Sequence, residues 1–340
     1  VLWSDGAPGA YGSIPARGAG RGNGGLIETS GHALSTGGIR IDAAGGKQGG
    51  KSGTWLLDPL NIIVRDGGAT APANADMFDK MPGDEDAVVD PGALRDTNAN
   101  IVLQARNDLT FVNNLDTEHS VRAEAGNDLI VDASISAGGD IDLRAGNRLT
   151  LGERGELRSP NYIDLKAERM DLFGRIRSLD GVAPIVSLTT FNNSTPINVR
   201  GTEGPGALTL KPSQLADFEA FGINIGSSAH TGPISIDNSL SIAGHLSIDT
   251  GGTININAPV VLGDADSRFT ATLHPYLGGG AIQIDGAGSI TAGKKIALSG
   301  GSVRVLGNLT SNGIASDAGS SGIDLQEGAN LIAAGEVTLR

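Results

Sequence analysis

The sequence predicts an all-β chain that folds as one continuous right-handed parallel β-helix over residues 1–340, with short loop and helix excursions. Three observations predict this solenoid: a repeat of twenty residues, apolar residues that alternate along short segments, and 52 glycines that punctuate the chain. Aliphatic residues and Ala carry most of the 39% hydrophobic share, whereas aromatic residues make up only 4%. Aliphatic and β-branched residues between turn residues are typical of short strands.

The repeat is clearest between residues 101 and 151. Three near-copies begin at Ile101, Val121 and Ile141, and a looser copy begins at Ile163. In each copy, alternating apolar residues direct one side of a strand inward, and a bend separates two strands. A unit of about twenty residues without a helix cannot bury its apolar side alone, so successive units must stack as a solenoid.

Asparagines recur at one position of this repeat. Asn107, Asn127 and Asn147 fall at the same place in three successive copies. Stacked asparagine side chains hydrogen-bond along a solenoid. We therefore predict an internal structural asparagine ladder and assign no ligand to these three residues.

Two segments interrupt the repeat. Residues 67–98 are acidic and rich in turn residues, which predicts a loop excursion. Residues 201–233 predict a second excursion, in which a short Ser-capped helix around Pro212 and Ser213 precedes a return to strand. Solenoids often carry their binding functions on such protrusions. We therefore expect these two segments to carry the binding function of this chain.

The acidic excursion contains the candidates for a metal site, Asp84, Glu85 and Asp86. Calcium is a hard cation that takes six or more oxygen ligands, and carboxylates supply them. The segment matches neither an EF-hand nor a nonapeptide calcium pattern, so a solvated acidic loop is the competing interpretation. The pair Asp264 and Asp266 is open to the same two interpretations. No other cofactor is predicted.

Two glycine-rich segments match nucleotide-binding patterns. Residues 45–52 satisfy the phosphate-loop pattern, and residues 20–25 satisfy the G-x-G-x-x-G dinucleotide pattern. Both chemistries need a helix directly after the loop, because its N-terminus faces the phosphate. The residues that follow each segment are typical of strands. We interpret both segments as glycine-rich turns.

The histidines are scattered along the chain, at His32, His119, His230, His245 and His274. None lies within a few residues of another, so the sequence shows no zinc-binding spacing and supports no catalytic triad. We predict solvated or packing roles for them.

Three asparagines, Asn192, Asn193 and Asn308, begin Asn-x-Ser/Thr sequences and are candidate glycosylation sites. Such sequences also arise by chance in a chain rich in Ser, Thr and Asn.

Charge excludes several classes of partner. The net charge of −13 and the isoelectric point of about 4.7 repel a nucleic-acid backbone or an anionic bilayer. No apolar run is long enough to span a bilayer and no signal peptide is recognisable, so we expect no membrane insertion and interpret the sequence as an excised piece. The absence of Cys fits a reducing cytosol and, equally, unfolded passage through a narrow outer-membrane pore.

Several strings resemble filamentous-haemagglutinin-like exoproteins: WSDG at residues 3–6, YGSI at 11–14, GNGGLIETSG at 22–31 and GTWLLDP at 53–59. Residues 215–236 are similar to another recurring segment of that family. The resemblance implies a passenger that an outer-membrane two-partner secretion transporter exports from a Gram-negative bacterium. The family's Asn-Pro-Asn-type secretion signature is absent, so we expect this chain to lie downstream of the secretion domain.

The resemblance also implies a function. It predicts a secreted, non-enzymatic segment at the bacterial cell surface that adheres to host cells, other bacteria or a biofilm polysaccharide. One alternative is a passive stalk of a contact-dependent toxin-delivery exoprotein. A second is a polysaccharide lyase or hydrolase, for which Asp142 and Asp164, one coil apart, are a conceivable carboxylate pair. Few aromatic residues are present to stack on sugars, which weakens that second alternative.

Overall fold

The structure is a computed structural model that describes residues 1–4, 12–31, 38–67, 86–263, 268–275, 280–317 and 323–339. Within these ranges, short β-strands alternate with turns, and two helices of five residues are present. The chain divides into two compact units, which are described separately. Unit 1 contains Val1–Ile163 and Asp171–Val182, and unit 2 contains Asp164–Met170 and Ala183–Arg340.

Unit 1 is built from short strands, one of which, β16, also supplies residues to unit 2. In chain order the strands are β1 (Leu2–Ser4), β2 (Gly12–Pro15), β3 (Leu26–Gly31), β4 (Ile39–Asp42), β5 (Thr54–Leu57), β6 (Ile62–Val64), β7 (Ala87–Val89), β8 (Asn100–Ala105), β9 (Leu109–Phe111), β10 (Leu115–Thr117), β11 (Val121–Ala125), β12 (Asp128–Val131), β13 (Ser134–Ala137), β14 (Ile141–Leu151), β15 (Glu156–Arg158), β16 (Tyr162–Leu172) and β17 (Arg175–Arg177). Helix α1 (Pro91–Arg95) lies between β7 and β8.

These strands pair in parallel and stack into three main sheets. The first sheet contains β1, β3, β5, β8, β11 and the start of β14. The second contains β7, β6, β9, β12 and the end of β14. The third contains β10, β13, β15 and β17, and β2 pairs with β4 beside these sheets. Each coil adds a strand to each sheet in turn, which is the architecture of a β-solenoid.

The register shows why the sequence repeat has its length. Ile101, Val121 and Ile141 are Cα partners on neighbouring strands, so one coil consumes one repeat. All three side chains are buried, whereas the residues between the inward-facing positions are half-buried or exposed. The alternation read from the sequence thus corresponds to an inward and an outward side of each strand.

Unit 2 continues with strands in the same order of sheets. They are β18 (Ile185–Thr189), β19 (Ile197–Val199), β20 (Leu208–Leu210), β21 (Gly222–Gly226), β22 (Ile234–Ile236), β23 (Leu240–Ile242), β24 (His245–Thr250), β25 (Ile254–Ile256), β26 (Pro259–Leu262), β27 (Thr270–Pro275), β28 (Ala281–Ile284), β29 (Ser289–Ala292), β30 (Lys295–Ser299), β31 (Ser302–Val305), β32 (Asn308–Ser311), β33 (Ile314–Asp317), β34 (Ile323–Leu325), β35 (Asn330–Ala333) and β36 (Val337–Leu339). Helix α2 (Pro212–Ala216) lies between β20 and β21.

Three parallel sheets again form the walls. In unit 2 the first sheet contains β18, β21, β24, β27, β30, β33 and β36. The second contains β20, β19, β22, β25, β28, β31 and β34. The third contains β23, β26, β29, β32 and β35. The predicted all-β parallel solenoid is confirmed.

One motif occurs in both units. In unit 1, β7 pairs in parallel with β6 as the first strand of the second sheet, and α1 follows; in unit 2, β20 pairs in the same way with β19, and α2 follows. Both helices begin with Pro and bury one leucine, Leu94 or Leu215. Each packs against the first strand of the third sheet, β10 or β23. Each helix therefore takes the place of a third-sheet strand in its coil.

The predicted Ser cap of the second excursion is wrong. Lys211 is the N-cap residue of α2 and makes no side-chain capping hydrogen bond, while Pro212 occupies the first helical turn. The fixed φ of proline suits the first helical position, which places Ser213 inside the helix and not before it. The helix α1 is capped by Asp90 instead, whose Oδ1 accepts the Gly92 amide at 2.7 Å.

The described parts of both predicted excursions contain solenoid elements. Residues 68–85 lie outside the described residues, and the rest of segment 67–98 contains β7, α1 and a parallel bridge from Asn98 to Asp42. Segment 201–233 contains β20, α2 and β21. Loops with exposed residues remain there at 201–206, between β19 and β20, and at 227–233, between β21 and β22.

Candidate functional site

The predicted asparagine ladder lies at the surface and links Asn to Asp. Asn127 Nδ2 donates to Asp108 Oδ1 at 2.8 Å, and Asn147 Nδ2 donates to Asp128 Oδ1 at 2.7 Å. The asparagines meet one another through the main chain, because the Asn127 amide donates to the Asn107 carbonyl at 2.8 Å. These side chains are half-buried or exposed, so the expectation of an internal ladder is wrong.

The carboxylates of this ladder also fix the backbone. Asp128 Oδ1 accepts the Arg148 amide at 3.2 Å in addition to the Asn147 side chain. At the start of the column, Asn61 Oδ1 accepts both Asn107 Nδ2 and the Asp108 amide. Sequence reasoning missed the aspartates, although the dipeptide Asn-Asp recurs after a whole repeat. Each rung satisfies polar groups at a corner where the chain turns, so this column is structural.

The calcium candidates are only partly described. Four of the acidic candidates lie outside the described residues: Asp84, Glu85, Asp264 and Asp266. Asp86 is exposed, and its Oδ1 accepts Asn61 Nδ2 at 3.0 Å. Within the part of the chain that the structure describes, no group of three or more His, Cys, Asp or Glu side chains is arranged to hold a metal ion.

The three candidate glycosylation asparagines are exposed. Asn192 Oδ1 accepts the amide and the hydroxyl of Ser194, at 3.1 and 2.8 Å. Asn308 Oδ1 accepts Asn330 Nδ2 at 2.9 Å, one coil further along. Asn193 lies within this turn, between Asn192 and Ser194. Exposure makes these sites accessible, and their hydrogen bonds also give Asn192 and Asn308 structural roles.

The two nucleotide-like motifs stack on one another. The Gly46 amide donates to the Gly22 carbonyl at 2.8 Å, and the Gln48 amide donates to the Gly20 carbonyl at 2.9 Å. A Cβ at Gly46 would lie 2.3 Å from the Gly20 carbonyl oxygen, so the two backbones approach too closely for a side chain. Strands β3 and β5 follow the two segments, with no helix. The interpretation of both segments as glycine-rich turns is confirmed.

Among the described histidines, His230 is fully enclosed. His230 is 1% exposed, its Nδ1 lies 3.4 Å from Thr190 Oγ1, and its Nε2 has no hydrogen-bond partner among the described residues. Burial lowers the pKa of this imidazole, because a charged ring loses its solvation inside the solenoid. His32 lies outside the described residues.

The carboxylate considered for a lyase is held in an ion pair. Arg144 Nε and Nη2 donate to the two carboxylate oxygens of Asp142, both at 2.8 Å. This bidentate pair lies on the outward side of β14 and keeps the Asp142 side chain aligned along the strand.

Within the described residues, a polar groove in unit 1 is a candidate binding site. It has a volume of about 330 Å³ and runs along the corner that follows the second sheet. It is lined by Asp66, Val112, Asn113, Asn114, Asp132, Ala133 and Arg154. These residues follow β6, β9, β12 and β14, so each of four coils contributes to the groove. Their separation in sequence explains why sequence reasoning missed them.

The groove walls are fixed by hydrogen bonds between coils. Asn113 Oδ1 accepts the Asp66 amide at 3.2 Å, and Asn114 Oδ1 accepts the Ser134 amide at 3.0 Å. Both asparagines thereby keep their amide nitrogens available for further bonds. The groove combines carboxylate, amide and guanidinium groups with the apolar side chain of Val112, which is 46% exposed. This chemistry suits a ligand that carries many hydroxyl groups.

In the described ranges, neither helix approaches the length and apolarity that crossing a bilayer requires. Comparison of the chain with protein-family models, with curated proteins and with solved structures finds no match.

Proposed function

We propose that this chain is an adhesive and structural segment of a large secreted bacterial surface exoprotein. The observation that carries the proposal is the polar groove of unit 1, which stacked coils build from Asp66, Asn113, Asp132, Arg154 and their neighbours. The ligand that fits this groove is a glycan of a host cell, of another bacterium or of a matrix polysaccharide.

The groove chemistry supports a glycan ligand. Carboxylates accept hydrogen bonds from paired sugar hydroxyls, and the Arg154 guanidinium donates to hydroxyl or ring oxygens. Apolar C–H groups of a sugar pack on Val112 and Ala133. Because the lining residues belong to consecutive coils, the solenoid holds them in place before the ligand arrives, which lowers the entropy cost of binding.

The groove lies where the acidic excursion begins. Asp66 lines the groove, and Gly67, with a φ of 76°, follows it directly before residue 68. The Gly67 amide donates to Asp90 Oδ2 at 3.2 Å, which ties this end of the excursion to the capping residue of α1. The groove thus borders segment 67–98, one of the two segments that we expect to carry binding.

The resemblance stated above supports the remaining parts of the proposal. It implies export by an outer-membrane two-partner secretion transporter and a location outside the cell. The negative net charge agrees with a partner other than nucleic acid. A passive stalk and a polysaccharide lyase are the outcomes against which the proposal is tested.

The test measures binding of the complete chain to a panel of immobilised neutral and charged glycans and to cultured cells. Adhesion requires saturable binding. The variants Asp132→Asn and Arg154→Ala should each weaken it about tenfold, the effect of losing about 1.4 kcal/mol of charge-assisted hydrogen bonding. The matched control Arg21→Ala, at an exposed position away from the groove, should leave it unchanged.

Each alternative has its own signature. A stalk binds no member of the panel, and a lyase shortens a soluble polysaccharide during incubation. Replacement of residues 68–85 by a short Gly-Ser linker, which keeps β6, β7 and α1, tests the excursion separately. Full binding by both groove variants would overturn the assignment of the groove.

A further inference from the structure

Unit 2 carries a column of rings along one margin of its first sheet. The rings of Phe221 and His245 lie 4.7 Å apart between centroids, and those of His245 and Phe269 lie 5.6 Å apart. Phe221 is 55% exposed, and the other two side chains are half-buried. The column spans three successive coils, because Phe221 precedes β21, His245 is the first residue of β24 and Phe269 precedes β27. In a chain with so few aromatic residues, this concentration is unusual.

Two glycines, Gly222 and Gly244, allow the rings to stack from coil to coil. By register, Phe221 stands next to Gly244, and Gly244 stands next to Phe269. A Cβ at Gly244 would lie 2.9 Å from the Ala220 carbonyl oxygen, so no side chain fits at this level. His245 fills the gap from the neighbouring position, where its partner Gly222 leaves room for it. Its Nδ1 accepts the Thr270 amide at 3.1 Å, which fixes the ring.

A row of uncharged polar side chains runs beside the rings. Ser187, Asn224, Ser247 and Thr272 are Cα partners on four neighbouring strands and point outward, half-buried. The side chains of Ser187, Asn224 and Thr272 make no hydrogen bond to any other residue that the structure describes. These groups are therefore free to bond an external ligand.

None of the residues of this strip and ring column is a carboxylate, but one carboxylate borders them, because Ser247 Oγ donates to Asp249 Oδ2 at 2.8 Å. Burial and the nearby Lys294 ammonium lower the pKa of His245, so its ring is neutral at neutral pH. The positive groups Lys294 and Lys295 lie past Phe269 at one end. A strip of rings, hydroxyl groups and one amide, bordered by the Asp249 carboxylate and the two lysines, is chemically matched to an uncharged sugar.

We propose that this strip, Phe221, His245 and Phe269 with Ser187, Asn224, Ser247 and Thr272, binds an extended chain of uncharged polysaccharide. Sugar rings stack on Phe221 and Phe269, while sugar hydroxyls bond the polar row. The ring spacing follows the coil rise of about 4.8 Å, which is comparable to the length of one pyranose unit along an extended chain. Two phenylalanines expose too little apolar area for a stable protein interface, which buries about 1,200–2,000 Å².

This site lies within unit 2 and does not rest on the groove of unit 1. Affinity electrophoresis tests it, because the protein with a net charge of −13 migrates towards the anode and is retarded by a polymer that it binds. Native gels contain hydroxyethyl cellulose, dextran or alginate at graded concentrations. We expect retardation by an uncharged polymer and none by the anionic alginate.

Removal of either ring should weaken binding. Phe221→Ala and Phe269→Ala should each raise the dissociation constant about fivefold, the loss expected for one stacking contact. Phe221→Tyr keeps the ring and should bind within about twofold of the parent chain. The matched control is Phe173→Ala in unit 1, where the ring is 53% exposed. A urea unfolding midpoint close to that of the parent chain confirms that each variant is folded.

Several results would overturn the proposal. The first is equal retardation of the parent chain and of the double variant lacking Phe221 and Phe269. The second is a loss of polymer binding in Phe173→Ala as large as that in the ring variants. The third is retardation by alginate alone. Sedimentation that depends on concentration in the parent chain and not in Phe221→Ala would reassign the strip to contact between copies. The groove variants Asp132→Asn and Arg154→Ala should retain full retardation, so failure of one site is distinguishable from failure of the other.

Discussion

Trp55 donates its indole N–H to Thr29 Oγ1 across 3.0 Å inside unit 1, from one coil of the first sheet to the previous one. Both side chains are buried, Trp55 fully and Thr29 to 1% exposure. This hydrogen bond thus holds the largest fully buried side chain of the described core. A buried indole N–H without such a partner costs free energy, because folding removes it from water.

Replacing the acceptor should destabilise unit 1. Thr29→Val keeps the shape of the side chain and leaves the Trp55 N–H unsatisfied, so the free energy of unfolding should fall by about 1–3 kcal/mol. Urea unfolding monitored by tryptophan fluorescence measures the change. Thr110→Val, on the half-buried outward side of β9, is the control and should change stability by less than about 0.5 kcal/mol.

Stability should decrease in mild acid because of His230. Burial lowers its pKa in the folded chain, whereas the unfolded chain binds a proton near pH 6.5. The contribution of neutral His230 to stability is therefore fully present above about pH 6.5. The free energy of unfolding then falls as the pH decreases towards the folded pKa. Urea unfolding at about pH 8 and about pH 5.5 should show a smaller loss for His230→Gln than for the parent chain.

The control for this prediction is His119→Gln, at a half-buried position. On acidification, this variant should lose as much free energy of unfolding as the parent chain. A part of the loss should persist in His230→Gln, since burial and Lys294 also lower the pKa of His245. Identical pH profiles for the parent chain and His230→Gln would contradict the assignment.

The Asn–Asp column should contribute measurably to stability. Asp128→Ala removes the acceptor of both Asn147 Nδ2 and the Arg148 amide. We expect a loss of about 1–2 kcal/mol in the free energy of unfolding, since net hydrogen bonds contribute about 1 kcal/mol each and the partners are partly solvated. Asp140→Ala, at an exposed corner, is the matched control. Equal midpoints for these two variants in urea would show that the column is dispensable.

Close stacking of coils should make one corner glycine irreplaceable. A Cβ at Gly146 would lie 2.1 Å from the Gly126 carbonyl oxygen, whereas a Cβ at Gly201 would meet nothing within 4 Å. Gly146→Ala should therefore lower the unfolding temperature, by a strain of about 1–3 kcal/mol. Gly201→Ala should leave it unchanged. Thermal denaturation followed by circular dichroism compares the two variants.

The sequence alone predicts the solenoid because its apolar residues recur at a regular spacing along the repeats. Ile101, Val121 and Ile141 recur at the coil length and alternate with polar neighbours, so strand, register and inward side follow from one pattern. The repeated motif of β7 with α1 and β20 with α2 was harder to recognise. Only Pro, Leu and Asp recur at equivalent positions in the two helical segments, and the residues before them differ in charge.

The candidate sites could not be predicted, because stacking and not sequence proximity assembles them. Asp66 and Arg154 line one groove but belong to different coils. Phe221 and Phe269 join one column only because His245 fills the level where Gly244 has no side chain. The Asn–Asp column was half predicted: the asparagines were identified, and their true side-chain acceptors were not.

The strand pairs β6–β7 and β19–β20 explain how this fold accepts long insertions. In each pair the second strand returns alongside the first, so the two ends of the intervening segment lie roughly 8 Å apart, from a strand spacing of about 4.8 Å and a rise of about 3.3 Å per residue. The proline helix then restores the path of the coil. A segment whose two ends lie on such a strand pair can change length and composition without altering the register of the neighbouring strands. We therefore expect residues 68–85 and 201–206 to tolerate grafted peptides and to diverge most among relatives.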